Sequence, residues 1–285
     1  MKKSIILFIT FTLTNFITFA QNVNDINTVD SNFHLYILMG QSNMAGRGEI
    51  SEEYKNESNP RVLMLDKNNQ WVLAHHPLHF DKTVAGVGPG LAFAIKMANE
   101  NLDIKIGIIP CAVGGTPIRT WQPGSYDSAT KKYPYDDAIV RIKAAMKSGV
   151  IKGMLWHQGE ADSKPEAAAI YIPQLKTLIE RIRTITDNAS LPVVAGELGR
   201  YKEQYQNINN ELKKLPATVQ STAVASSEGL TDKGDGSHFN SSSAEKLGVR
   251  YAEQMQRLNS QLLSNKKKHK KNSSQPLYHR VTNHP

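Results

Sequence analysis

The sequence predicts an α/β protein, a three-layer α/β/α sandwich built on a five-stranded parallel sheet. Three observations carry that expectation. Five short apolar runs rich in β-branched residues lack the polar alternation of a one-sided sheet, so they suit strands covered on both faces. Longer helical patterns separate them, as right-handed βαβ crossovers require. Glycine and polar clusters follow the C-terminal ends of the runs, where doubly wound sheets gather functional groups.

Taken in order, residues 1–20 pair Lys2 and Lys3 with an apolar stretch ending in Thr18-Phe19-Ala20, the pattern of a cleaved secretory signal peptide rather than a membrane span. The first strand covers 35–39 and stops at Gly40. "RVLMLDKNNQWVL" has two short apolar segments around Asn68 and Asn69, which predicts a small inserted hairpin. A helix over 90–100 leads to a strand at 104–109, and a helix over 136–147 leads to one at 153–156. Residues 165–186 read as one helix before a strand at 193–196. A helix over 205–214 precedes the last strand, 219–225, and a final helix spans 242–263. No internal repeat or linker interrupts 21–265, so one domain is expected there.

Composition narrows the function classes. The net charge of +8 suggests a nucleic-acid binder until it is located. Eight of the 34 basic residues lie in 1–20 and 266–285, which hold no acid, so 21–265 carries 26 basic against 26 acidic residues. The basic character belongs to the tail "KKKHKKNSSQPLYHRVTNHP", read as a disordered extension. No nucleic-acid partner and no stable membrane span after signal cleavage are expected, and the location is secreted or periplasmic. Cys111 is the only cysteine, which rules out an intramolecular disulfide, and its place after an apolar run marks it as a packing residue.

Four segments at strand ends could share one site: "GQSNMAG", "PCAVGGTPIRTW", "WHQGEAD" and "DGSHFN". A serine hydroxyl attacks an acyl group only when a base removes its proton, which asks for a histidine near Ser42. His238 is available, and Asp235, three residues earlier with Gly236 between, can fold back to fix the tautomer of the ring. The tetrahedral oxyanion needs donors, for which the Ser42 amide, a Gly115 amide and the Gln158 side chain are candidates. Each element also has an ordinary reading. Ser42 can cap a helix, Gly114-Gly115 can be a turn, Asp235 can close an Asx-turn, and Gln158, Glu160 and Asp162 can simply end a strand.

These residues resemble the SGNH-hydrolase superfamily, and within it the carbohydrate esterase family 6 type that holds acetylxylan esterases and sialate O-acetylesterase-like proteins. "GQSNM", "GGTPIRTW", "WHQGEAD" and "DGSHF" stand in the family's order and span 33–239. The resemblance implies a flavodoxin-like sandwich, with Ser42 as nucleophile, His238 as base and Asp235 as orienting acid. It also implies an oxyanion hole from the Ser42 amide, Gly115 and Gln158, the last replacing the superfamily's usual asparagine. Met44 departs from the Gly-x-Ser-x-Gly elbow of α/β-hydrolases.

The function expected is a secreted serine esterase that removes O-acetyl groups from an acetylated glycan or small acetylated sugar, with no metal and no organic cofactor. Gln41, Asn43, Thr116, Arg119, Trp121 and His157 are expected to bind substrate or support the site, with Arg119 and Trp121 on the sugar side. Glu160 is expected to brace its loop rather than assist His238. Two rivals remain: a metal-dependent hydrolase using His75, His76 and His79 of "HHPLH", and a carbohydrate-binding protein without catalysis.

Overall fold

The computed structural model describes residues 29–273, so the expected signal peptide and the stretch 274–285 lie outside the described residues. The strand β1, Asp30–Gly40, shows why its sequence is apolar throughout. Successive side chains of a strand point to opposite faces. Phe33, Leu35, Ile37 and Met39 enter one core, while Tyr36 and Leu38 enter the other.

Around β1 lie β2 (Val62–Leu65), β3 (Trp71–Leu73), β4 (Lys105–Pro110), β5 (Gly149–His157), β6 (Val193–Gly196) and β7 (Thr222–Ala225). They form one seven-stranded sheet in the order β3-β2-β4-β1-β5-β6-β7, parallel except for the β2–β3 pair. The five-strand expectation is therefore corrected. The hairpin is no separate insert: β2 pairs with β4 from Val62↔Ile106 to Met64↔Ile108 and so satisfies the backbone groups along that edge.

The helices are α1 (Ser42–Ala45), α2 (Glu52–Lys55), α3 (Pro89–Glu100), α4 (Pro134–Ala145), α5 (Pro165–Ala168), α6 (Tyr171–Ile185), α7 (Tyr205–Leu212), α8 (Leu215–Thr218) and α9 (Ser241–Ser273). Residues of α3 and α9 fill the core on one face of the sheet, and those of α4, α6, α7 and α8 fill the other.

Two helical boundaries differ from the sequence reading. The single helix expected over 165–186 divides into α5 and α6. Pro173 lacks an N–H and fits only a first helical turn, so the helix restarts just before it at Tyr171. The last helix runs past 263 and past the expected start of a disordered tail, to Ser273. Lysine is a good helix former, and its charge is favoured near a helix C-terminus.

The order of strands reverses at β1. The chain goes from β1 to β2, β3 and β4 on one side and then to β5, β6 and β7 on the other. The loops leaving β1, β4 and β5 therefore open a crevice at their carboxyl ends, the usual ligand position in such sheets. Gly40 lets β1 end there, for its φ is +134° and a Cβ would stand 2.0 Å from the His157 carbonyl oxygen. The Gln41 amide donates to that same oxygen at 2.9 Å.

Candidate active site

Three consecutive side chains after Gly40 point to three partners. Ser42, the first residue of α1, is buried, and its Oγ lies 3.0 Å from His238 Nε2 across a sequence separation of 196. His238 Nδ1 lies 2.8 Å from Asp235 Oδ2. Asp235 Oδ1 accepts the Ser237 amide at 2.9 Å and the His238 amide at 2.8 Å, a tight turn that holds the carboxylate beside the ring.

Partial desolvation works to raise the Asp235 carboxyl, but the hydrogen bonds from the His238 ring and from the two amides outweigh it and hold the group at about 2. An ionised carboxylate can only accept, so a neutral His238 carries its proton on Nδ1. That leaves the Nε2 lone pair facing the Ser42 hydroxyl, the arrangement a general base requires.

Asn43 ties three of the four motifs together. Its Nδ2 donates to Glu160 Oε1 at 2.5 Å and to the Ser237 carbonyl at 3.0 Å, and its Oδ1 accepts the Phe239 amide at 3.1 Å. Glu160 makes no hydrogen bond to His238; its Oε1 accepts from Asn43 and lies 3.9 Å from His157 Nε2. Burial pushes its carboxyl up to about 7, against the opposing hydrogen bond from Asn43.

Gln41 and Gln158 make the corresponding tie to the β4 loop. Gln158 is fully buried, and its Nε2 meets Gln41 Oε1 at 3.1 Å, the Thr116 carbonyl at 3.2 Å and Asp162 Oδ2 at 2.5 Å. An amide has two N–H groups, and three acceptors already surround them. The expectation of Gln158 as a free third oxyanion donor is not met in this geometry, because its hydrogens join the loops after β1, β4 and β5 to one another.

Two backbone donors are open. Among the described residues, neither the Ser42 nor the Gly115 amide has a hydrogen-bond partner. Gly115 is exposed with φ at +92°, so its unobstructed amide is available where an L side chain would be strained. The preceding Gly114 touches the turn after β1, its missing Cβ falling 3.4 Å from that of Ser42.

A pair the sequence reading did not single out fixes this loop. Arg47 Nη2 and Asp81 Oδ2 form an ion pair at 2.7 Å, with both side chains almost inaccessible. Arg47 Nη1 also donates to the Gly46 carbonyl at 2.6 Å, and Asp81 accepts the Gly114 amide at 2.9 Å. Burial opposes the Asp81 charge, but the guanidinium and the Gly114 amide hold its carboxyl below the usual range. The one available signal was an arginine among small residues in "GQSNMAGRG".

Other expected residues are placed as follows. Thr116 is buried, donates to the Val113 carbonyl at 2.8 Å and accepts the Trp121 indole N–H at 3.1 Å. Trp121 is buried edge-on against Trp156 at a centroid distance of 5.5 Å, which makes it a core residue and corrects the expected sugar platform. His157 is likewise fully buried and not on the substrate side. The Tyr251 hydroxyl gives its proton to the Trp156 carbonyl at 2.9 Å, so His157 Nδ1 is the donor in the 3.0 Å contact to that hydroxyl. Burial pulls the ring down to about 3, which keeps it neutral.

Arg119 does lie open, in a cleft of about 430 Å³ that it shares with Gly115, Pro117, Asp127 and Gln174. Cys111 is buried, with its thiol pushed up to about 12 by desolvation. The histidines of "HHPLH" do not converge. His75 is exposed, His76 turns toward Glu57, and His79 is separately buried and pulled down to about 4 by desolvation.

The chain is similar to known carbohydrate esterases. The family model for carbohydrate esterases described as sialic acid-specific acetylesterases matches residues 32–257. A probable carbohydrate esterase of Arabidopsis thaliana is 32% identical over 242 residues, which cover 77% of this chain and 88% of that protein. The X-ray structure of the same Arabidopsis protein superposes with a TM-score of 0.70 at 30% identity, covering 79% of this chain and 98% of that one. The structure of NanS gives a TM-score of 0.64 at 17% identity, over 82% of this chain and 100% of NanS. A carbohydrate acetylesterase from Xanthomonas citri gives 0.62 at 17% identity, over 79% of this chain and 56% of that one. At such identities the last two share the fold. No helix among the described residues is long and apolar enough to cross a membrane.

Proposed function

Because the chain belongs to the carbohydrate esterase, sialic acid-specific acetylesterase family, we propose that it is a serine esterase removing O-acetyl groups from sugars through an acetyl-enzyme. One observation carries the reading: His238 lies 3.0 Å from Ser42 Oγ through Nε2 and 2.8 Å from Asp235 Oδ2 through Nδ1, which supports a ring that accepts from the hydroxyl.

In the proposed reaction, Ser42 Oγ attacks the acetyl carbonyl carbon while His238 Nε2 takes the hydroxyl proton. The negative charge on the carbonyl oxygen is received by the Ser42 and Gly115 amides, each contributing about 3 kcal/mol in the transition state. Asp235 stabilises the imidazolium. The tetrahedral intermediate collapses, the sugar oxygen leaves with the proton from His238, and an acetyl group remains on Ser42. Water, deprotonated by His238, repeats the attack and releases acetate. Gln158 and Asn43 act here by positioning. The Arg119 cleft takes the sugar, and a guanidinium there suits an acidic one such as an O-acetylated sialic acid. The leader-like 1–20 segment supports export to meet such a substrate.

The test is acetate release from a small aryl acetate, acetylated xylan and an O-acetylated sialoside. Ser42→Ala is expected to lower kcat/KM by about 10⁴-fold or more on all three with unchanged folding. An undiminished rate in that variant overturns the nucleophile assignment.

A further inference from the structure

Glu57, His76 and Glu245 come together away from the serine site, each from a different part of the chain. Glu57 follows α2, His76 follows the β3 strand and Glu245 lies one turn into α9. One ligand atom from each fits within 4.8 Å of the other two. The His76 side chain is wholly buried, and neither ring nitrogen has a hydrogen-bond partner. Glu57 Oε2 is buried and unpartnered too. His76 Nε2 stands 3.4 Å from that oxygen without hydrogen-bond geometry. Tyr54 closes the side of the imidazole, its ring centroid 6.4 Å away.

Charge points the same way. Among the described residues no lysine or arginine is within ion-pair distance of Glu57 or Glu245. Two crowded carboxyl groups facing an unpartnered imidazole nitrogen make an oxygen-and-nitrogen donor set, and a metal ion binding there displaces any proton they hold.

We propose that Glu57, His76 and Glu245 bind a divalent zinc ion that clasps the segment after α2 and the end of the hairpin to α9. Ligands bonded at about 2.0–2.2 Å around a tetrahedral zinc stand about 3.3–3.6 Å apart. The His76–Glu57 pair already has that spacing, at 3.4 Å. Glu245 completes the set by rotating its flexible side chain, and water takes the fourth position. Imidazole favours zinc over calcium and magnesium, and two carboxylates balance its charge. The clasp is structural: α9 begins three residues after His238, so pinning its first turns steadies the loop that bears the base.

The experiment uses the full chain without an affinity tag, dialysed against a chelator and titrated with zinc, with thermal unfolding as readout. Wild type is expected to bind one zinc and to gain about 5 °C in Tm at zinc a hundredfold above Kd. Glu245→Gln and Glu57→Gln are isosteric at partly exposed positions and should fold without metal. Each is expected to bind zinc at least about tenfold more weakly and to lose the Tm gain. No gain in wild type overturns the proposal. An equal gain in both variants also overturns it, by placing the metal elsewhere, for example on the histidines of the C-terminal stretch. An equal gain with magnesium overturns the assignment to zinc. None of these readouts depends on esterase activity, so they stand apart from the functional reading.

Discussion

Ser42 and His238 touch, yet they come from opposite environments. Ser42 leaves the middle strand of the sheet, in a turn whose glycine, glutamine and asparagine are all buried. His238 and Asp235 sit on a loop beyond the edge strand β7, with side chains 27% and 36% exposed, and that loop is held to the Ser42 turn by Asn43. Ser42 is thus fixed by the core and His238 by a few hydrogen bonds in partial contact with water. Function and stability should therefore separate on the second side and stay joined on the first.

Asp235→Asn probes the exposed side and carries the largest expected effect. The amide oxygen can still accept the Ser237 and His238 amides, and water screens the lost charge, so unfolding free energy should fall by no more than about 2 kcal/mol. An amide N–H facing His238 Nδ1 favours the other tautomer, and kcat should fall by about 10⁴-fold. A large loss of stability with this substitution would erase the contrast between the two sides.

Arg47→Met probes the buried side. It leaves Asp81 charged and unpaired in the interior, and breaking a buried pair in this way costs about 3–5 kcal/mol. Activity and stability should fall together, because Asp81 holds the Gly114 amide and so positions Gly115. Adding Asp81→Asn should return part of the stability, since a neutral side-chain oxygen still accepts from Gly114. Urea unfolding of the single and double variants measures this, and an unaltered midpoint in Arg47→Met would count against the pair as the brace.

These two sides differed in how well the sequence exposed them. The strand-end motifs were legible because each sets glycine and polar residues directly after an apolar run, a local signal. The alternation of parallel strands and helices was legible for the same reason. The sheet edge was not, since "VLML" shows a strand but not which neighbour completes its hydrogen bonds. Asp81 carried no local mark, for its importance comes from an arginine 34 positions away. Trp121 was misplaced because an indole gives the same letter whether it packs on Trp156 or faces a sugar. Gln158 was placed in the right loop, but the direction of its amide depends on Asp162, Gln41 and Thr116 together.

The site's two acids sharpen the comparison most finely. Asp235, partly in water and bonded to donors, is held at about 2, so its contribution is present above the ordinary carboxylate range and lost as pH falls through about 2. Glu160 behaves oppositely, being raised by burial from 4.5 to about 7. Between those values the native state keeps a proton that the unfolded chain has released, so stability declines as pH rises through this window and stays lower above it. The full decline corresponds to about 3 kcal/mol. Glu160→Gln copies the protonated acid and keeps an oxygen for the Asn43 amide, so it should lack the decline. Its unfolding free energy relative to wild type is expected to climb from about pH 5 to about pH 8 in urea titrations. Parallel curves for the two proteins would mean that Glu160 is ionised in the native state throughout, and the burial argument for the inner side of the site would fail.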